Sequence, residues 1–190
     1  MCDGSPTPVG SRTPIVPDSM IEDRAKKIKL LILDVDGVLT DSRIIYDNFG
    51  DEIKCFNVYD GFGMTLLCRA GIKSVIITAK KTNIVMRRAK DMHVAKVYSG
   101  YKKLKIYEKV IKKFKVRDED VCFMGDDLID LPVLKRAGLS VAPPEAVEEV
   151  KNSCHYITKK SGGKGAVREV IEIILKSQGL WDKVISEYKK

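Results

Sequence analysis

Residues 30–41, LLILDVDGVLTD, restrict the fold of this chain more than any other stretch. An apolar run (Ile28, Leu30, Leu31, Ile32, Leu33) ends on Asp34, with Asp36 two positions on and Gly37 after it. An unbroken apolar run of this length is the pattern of a strand buried on both faces, as in a parallel sheet. Open parallel sheets bind ligands beyond the carboxyl ends of their strands, so Asp34 and Asp36 stand where such a fold does chemistry. Gly37 and the polar residues after it let the chain leave the strand sharply. Two carboxylates this close repel each other unless one keeps a proton or a cation lies between them. Alone, such a pair marks a turn with two solvated acids. The residues C-terminal to the pair change that reading.

Residues 42–57 carry two short strand patterns, 44–46 and 53–56, around the turn residues Asp47-Asn48-Phe49-Gly50-Asp51. This predicts a β-hairpin inserted after the first strand, with edges that a partner subunit could cover. Asp60-Gly61 then opens a helix, with Asp60 as a candidate N-cap and Gly71 as its stop. Further strands are expected at 74–78, 94–98, 120–124, 139–142 and about 155–158. They are separated by helices at 82–92, 102–115, about 127–137 and 145–150, with a last helix after Gly162-Gly163. Strands alternating with helices imply an α/β fold, a Rossmann-like doubly wound parallel sheet with right-handed crossovers.

The length, 190 residues, suits one domain with a full core, and no apolar run is long enough for a membrane span. The Pro-, Ser- and Thr-rich start reads as a disordered tail over 1–20 without signal-peptide features. The main domain is then 21–178, and a C-terminal helical tail covers 179–190. The five cysteines are odd in number and form no CxxC pair, which points to a reducing cytoplasm. The net charge of +8 could attract nucleic acid or anionic metabolites. However, the lysines of 102–115 alternate with an apolar stripe (Ile106, Val110, Ile111, Phe114), so they read as a solvated helix face, and a nucleic-acid partner is not expected.

Three predicted strands end on polar groups, Asp34, Thr78 and Asp126, and parallel strands put these ends on one rim. Lys103, near a helix start, could reach the same rim, and Asp127 and Asp130 follow Asp126. The inventory suits phosphoryl transfer. One carboxylate can attack phosphorus, and another can move the proton. A hydroxyl and an ammonium can hold the equatorial oxygens. Asp126 with Asp34 can bind a hard cation such as magnesium.

DVDGVLTD, Thr78, Lys103 and GDDLID in this order resemble the four motifs of the haloacid dehalogenase superfamily of phosphatases. The resemblance implies Asp34 as nucleophile and Asp36 as general acid/base, with its backbone carbonyl on magnesium. Thr78 and Lys103 would bind the phosphoryl group. Asp126 would ligate the metal, and Asp127 or Asp130 would support the site from behind or through water. Lys103 is chosen over Lys102 and Lys105 for its distance to Gly125.

The missing long insertion implies a capless member. The hairpin, FNVYDGFGM, GDDLIDLP and GGKGAVREV together are similar to the 3-deoxy-D-manno-octulosonate (KDO) 8-phosphate phosphatases. These are capless homotetramers in which a neighbouring subunit helps close each site. That likeness implies an acidic sugar phosphate as substrate, with Asp60, Lys80 and Lys164 among the substrate contacts. The family pattern has Arg where Tyr59 stands and Gly-Arg where this chain has Ala79-Lys80, which leaves a nonulosonate 9-phosphate as an alternative substrate. Two other classes fit parts of the pattern: a phosphorylated receiver domain and a non-catalytic tetramerisation module.

Overall fold

Leu30–Leu33 forms β1, and all four side chains are fully buried. They alternate between two cores. Leu31 and Leu33 pack on one face of the sheet, Leu30 and Ile32 on the other. Each such side chain removed from water stabilises the fold by about 1.5–3 kcal/mol. The computed structural model describes residues 18–190. Most of the expected N-terminal tail lies outside them, but Asp18 already begins a helix, α1 (Asp18–Ala25). Its sequence DSMIEDRA buries only Ile21 and Ala25, too weak a stripe to read as a helix beforehand.

After β1 come the hairpin strands β2 (Ile45–Tyr46) and β3 (Glu52–Ile53), then α2 (Val58–Arg69), β4 (Lys73–Thr78), α3 (Asn83–Asp91) and β5 (Lys96–Ser99). The chain continues through α4 (Lys103–Phe114), β6 (Val121–Met124), α5 (Leu131–Leu134), β7 (Leu139–Ala142), α6 (Glu148–Lys151), β8 (Tyr156–Ile157), α7 (Ala166–Ser177) and α8 (Trp181–Ile185). Six strands form one parallel sheet in the order β5-β4-β1-β6-β7-β8. The chain builds outward from β1 on one side, then crosses back to add β6 on the other. The order therefore reverses at β1 and β6, where doubly wound sheets open a crevice. Helices α1, α2 and α7 cover one face through Ile21, Met64, Leu67, Val170 and Ile174. Helices α4, α5 and α6 cover the other through Tyr107, Val110, Val133, Leu134 and Val150.

Between β1 and α2 the only inserted structure is the hairpin, paired Ile45 with Ile53 and Tyr46 with Glu52. Its turn is closed by Asp47 Oδ1, which accepts from the amides of Phe49 (2.9 Å) and Asp51 (2.8 Å). Two sequence expectations are corrected here. Asn57, not Asp60, caps α2, its Oδ1 accepting from the Tyr59 amide at 2.8 Å. The helix expected over 127–137 is a 3-10 turn, Leu128–Asp130, followed by the single turn α5 with Pro132 near its start.

The last residues fold back on their own chain. Trp181 lies under Arg168 and Lys176, and the Tyr188 ring meets Phe62 edge-on at 5.3 Å.

At the β7–β8 edge, His155 Nδ1 accepts from the Ser140 amide at 3.0 Å, which requires the neutral ring. Burial, aided by Arg24, holds His155 below its ordinary value of 6.5. The folded state thus binds fewer protons than the unfolded state. The contribution is complete above about pH 6.5 and is lost as pH falls through the folded value. Urea melts across pH 5–7.5 are expected to show stability falling on the acid side, with that limb flattened in His155→Gln; an unchanged limb would assign it elsewhere.

Candidate active site

Asp34 follows β1 directly, its amide donating to the Met124 carbonyl at 3.0 Å, so the backbone of β6 fixes it. Asp126 follows β6 in the same way, one glycine later. Between them lies Lys103, whose Nζ is 2.9 Å from Asp34 Oδ2 and 2.7 Å from Asp130 Oδ1. Lys103 is 1% exposed although it opens α4, while Lys102 and Lys105 face solvent. Burial thus sets Lys103 apart from its two neighbours.

Asp130 Oδ2 accepts from the amides of Asp126 (3.2 Å) and Asp127 (3.4 Å). Both its oxygens are therefore occupied. By contrast, Asp34 Oδ1 is buried with no hydrogen-bond partner. Burial and the neighbouring Asp130 carboxylate push Asp34 up to about 7, against the pull of Lys103. Burial, with Asp34 and Asp130 nearby, pushes Asp126 up to about 7 as well. Burial alone would depress Lys103, but Asp34 and Asp130 together hold its ammonium above the ordinary value.

Carboxylate oxygens of Asp34, Asp126 and Asp130 lie within 4.8 Å of one another. Hard oxygen donors, a buried oxygen lacking a partner and two carboxyls resisting ionisation fit a divalent cation such as magnesium. Gly37 makes room for this arrangement. Its φ is +80°, and a Cβ there would overlap Asp126 Oδ2.

The other residues singled out from sequence divide into those brought to this rim and those that are not. Thr78 ends β4 with its hydroxyl buried, donating to the Lys80 carbonyl at 3.3 Å. Asp36 turns its side chain away from the carboxylate cluster and toward the hairpin, where Lys54 Nζ meets its Oδ1 at 2.5 Å. Lys80 is exposed and 3.8 Å from Glu52. Lys164 is exposed on a cleft of about 380 Å³ that it shares with Gly37, Asp41, Ser42 and Arg43. The loop carrying it is seated on the loop after β1: the Gly163 amide donates to the Val38 carbonyl, and a Cβ on Gly162 would strike the Gly37 carbonyl. Asp127 is exposed and caps the Leu128 amide, whereas Asp130 is buried against Lys103.

Asp60 is corrected. It is fully buried, and its carboxylate accepts from the amides of Gly165 (3.2 Å) and Arg168 (2.8 Å). It therefore ties α2 to the start of α7 rather than reaching substrate.

Two contributors were missed from sequence. Thr40 Oγ1 accepts from the Gly37 and Ser42 amides and shapes the loop after β1. Lys54 is buried among carboxylates; burial would lower its pKa, but Asp36 and Glu52 hold it raised. The TD ending of the first motif could have flagged Thr40, but a lysine after a two-residue strand carries no signal.

Residues 71–171 match the model of the haloacid dehalogenase-like hydrolases. A KDO 8-phosphate phosphatase of Escherichia coli (strain K12) is 41% identical over 161 residues, 84% of this chain and 86% of that protein. The chain belongs to the haloacid dehalogenase-like hydrolases. Solved structures of this family carry the same fold. A probable YrbI family phosphatase from Pseudomonas syringae superposes with a TM-score of 0.88 at 41% identity, covering 90% of this chain and 98% of that one. A Moraxella catarrhalis KDO 8-phosphate phosphatase, solved in complex with magnesium ion, phosphate ion and KDO, has a TM-score of 0.86 at 40% identity. That match covers 88% of this chain and 97% of that one.

Proposed function

We propose that this haloacid dehalogenase-like hydrolase is a magnesium-dependent phosphomonoesterase acting on an acidic sugar phosphate, KDO 8-phosphate. The observation that carries the reading is the buried Lys103 clamping one oxygen of Asp34 at the sheet's switch point, with Asp126 and Asp130 beside it. The substrate is drawn from the relatives, at about 40% identity over most of both chains, that bear that name.

In the proposed reaction, Lys103 holds Asp34 Oδ2 and leaves Oδ1 without a protein partner. An Asp34 oxygen attacks phosphorus, the bond to the sugar oxygen breaks, and the departing pair takes a proton from the Asp36 carboxyl. Asp36, now a carboxylate, accepts a proton from the water that attacks the aspartyl phosphate, which frees Asp34 and inorganic phosphate. Thr78 and Lys103 face the spreading charge on the phosphoryl oxygens. Asp34 and Asp126, with the Asp36 backbone carbonyl, would hold magnesium. The ion would neutralise carboxylate and phosphate charge so that they can approach.

The hairpin exposes Ile44, Ile45, Tyr46, Phe49 and Ile53, with Phe49 93% exposed. Apolar exposure of this extent supports burial against other copies, and the reading includes a homotetramer. Cys55, Cys68, Cys122 and Cys154 are all free thiols, and among the described residues no helix is long and apolar enough to cross a membrane. The free thiols support a cytoplasmic enzyme.

Phosphate release should be measured from KDO 8-phosphate and a panel of nonulosonate 9-phosphates, with magnesium and with chelator. Chelator-sensitive release from KDO 8-phosphate is expected. Release only from another panel member would keep the mechanism and make Tyr59, Ala79 and Lys80 the specificity positions. Release from none would favour a non-catalytic assembly module.

A further inference from the structure

Lys54 is the second buried lysine of the described chain, and nothing in the reaction above uses it. Its side chain is 3% exposed, yet it belongs to the hairpin rather than to the sheet. A buried ammonium must find partners, and it finds two: Asp36 Oδ1 at 2.5 Å and Glu52 Oε1 at 2.7 Å. The partners differ. The Glu52 side chain is 12% exposed, while that of Asp36 is 45% exposed. Glu52 is therefore a fixed base for Lys54, and Lys54 in turn fixes a side chain that would otherwise choose among solvated rotamers. The other oxygen of Asp36 accepts no hydrogen bond among the described residues, so the contact anchors one oxygen and leaves one for proton transfer.

We infer that Lys54 is the positioning residue for Asp36, holding its carboxyl group in line for both proton transfers. The inference rests on the proposed phosphatase reading, in which Asp36 is the acid and base. It makes the hairpin part of the catalytic apparatus. Glu52 lies on β3, and Lys54 follows that strand directly. Misplacing a reacting group by about 1 Å slows chemistry on the order of 10²-fold, whereas substrate binding at Lys103 and Thr78 does not depend on Asp36.

The test compares Lys54→Met and Lys54→Arg, each made in the wild-type and in the Asp36→Asn backgrounds, by steady-state and single-turnover hydrolysis of KDO 8-phosphate. In the wild-type background Lys54→Met is expected to lower kcat about 10²-fold, with KM within about threefold, and Lys54→Arg to recover most of the loss. In the Asp36→Asn background Lys54→Met is expected to change the rate by no more than about twofold, because groups acting as a unit are not additive. The same fold-loss in both backgrounds, or a loss carried by KM, overturns the inference. If Lys54→Met melts below the assay temperature, Lys54→Gln, which keeps a polar side chain but removes the charge, makes the same two-background comparison. A wild-type protein that releases no phosphate overturns the phosphatase reading itself. Additive losses in an active enzyme overturn only the role of Lys54.

Discussion

Asp34→Asn is expected to lower phosphate release by about 10⁴-fold or more while leaving the fold as stable as before, or more so. The amide keeps the size of the side chain but is not a nucleophile toward phosphorus. The stability expectation comes from the site's electrostatics. Asp34 is 5% exposed and is pushed up to about 7 by burial and by Asp130, so its charge is unwelcome in the folded protein. The neutral side chain relieves that repulsion, and Lys103 retains Asp130 as a partner at 2.7 Å. Thermal melts in chelator alongside the kinetics check both halves. An Asp34→Asn protein with normal turnover would remove Asp34 from the role of nucleophile, and one that fails to fold would show that the carboxylate is needed for structure.

Asp36→Asn is expected to reduce turnover of the sugar phosphate by about 10²–10⁴-fold, the usual scale for a lost general acid and base. The two steps separate by leaving group. A sugar alkoxide needs a proton as it departs, whereas p-nitrophenolate leaves without one. The variant should therefore give a first burst of nitrophenol from p-nitrophenyl phosphate, followed by slow turnover as the aspartyl phosphate waits for a base. Because the Asp36 side chain lies on the hairpin side rather than among the metal-facing carboxylates, magnesium affinity is expected to change little. Wild-type rates on the sugar phosphate would contradict the assignment of Asp36.

The parts of this site legible in the sequence are those where a hydrophobic run stops on a polar residue. Asp34, Thr78 and Asp126 each end or closely follow a strand, and the parallel order of strands puts them on one rim without knowledge of side chains. Lys103 was picked from three neighbouring lysines by its distance to Gly125 alone, because no local pattern shows which of them turns inward. Asp60 misled for a related reason. An acid before a glycine reads equally as a cap, a ligand contact or a buried tie, and only the amides of Gly165 and Arg168, over a hundred residues away, decide for the last. Lys54 was invisible among 34 basic residues, since its burial depends on how the hairpin folds back over the loop after β1. The shortness of α5 was hidden differently. The apolar spacing of 127–137 is helical, but Asp127 and Asp130 turn their carboxylates onto local amides and hold a 3-10 turn instead.

The central claim is that Asp34 carries the phosphoryl group between two half-reactions. The most direct test is to acid-quench the enzyme during turnover of KDO 8-phosphate with magnesium, reduce the acyl phosphate with borohydride and map the modified residue by mass spectrometry. A label on Asp34 that disappears when substrate is exhausted is the expected result. No label in an enzyme that is turning over, or a label on any other residue, would contradict the account.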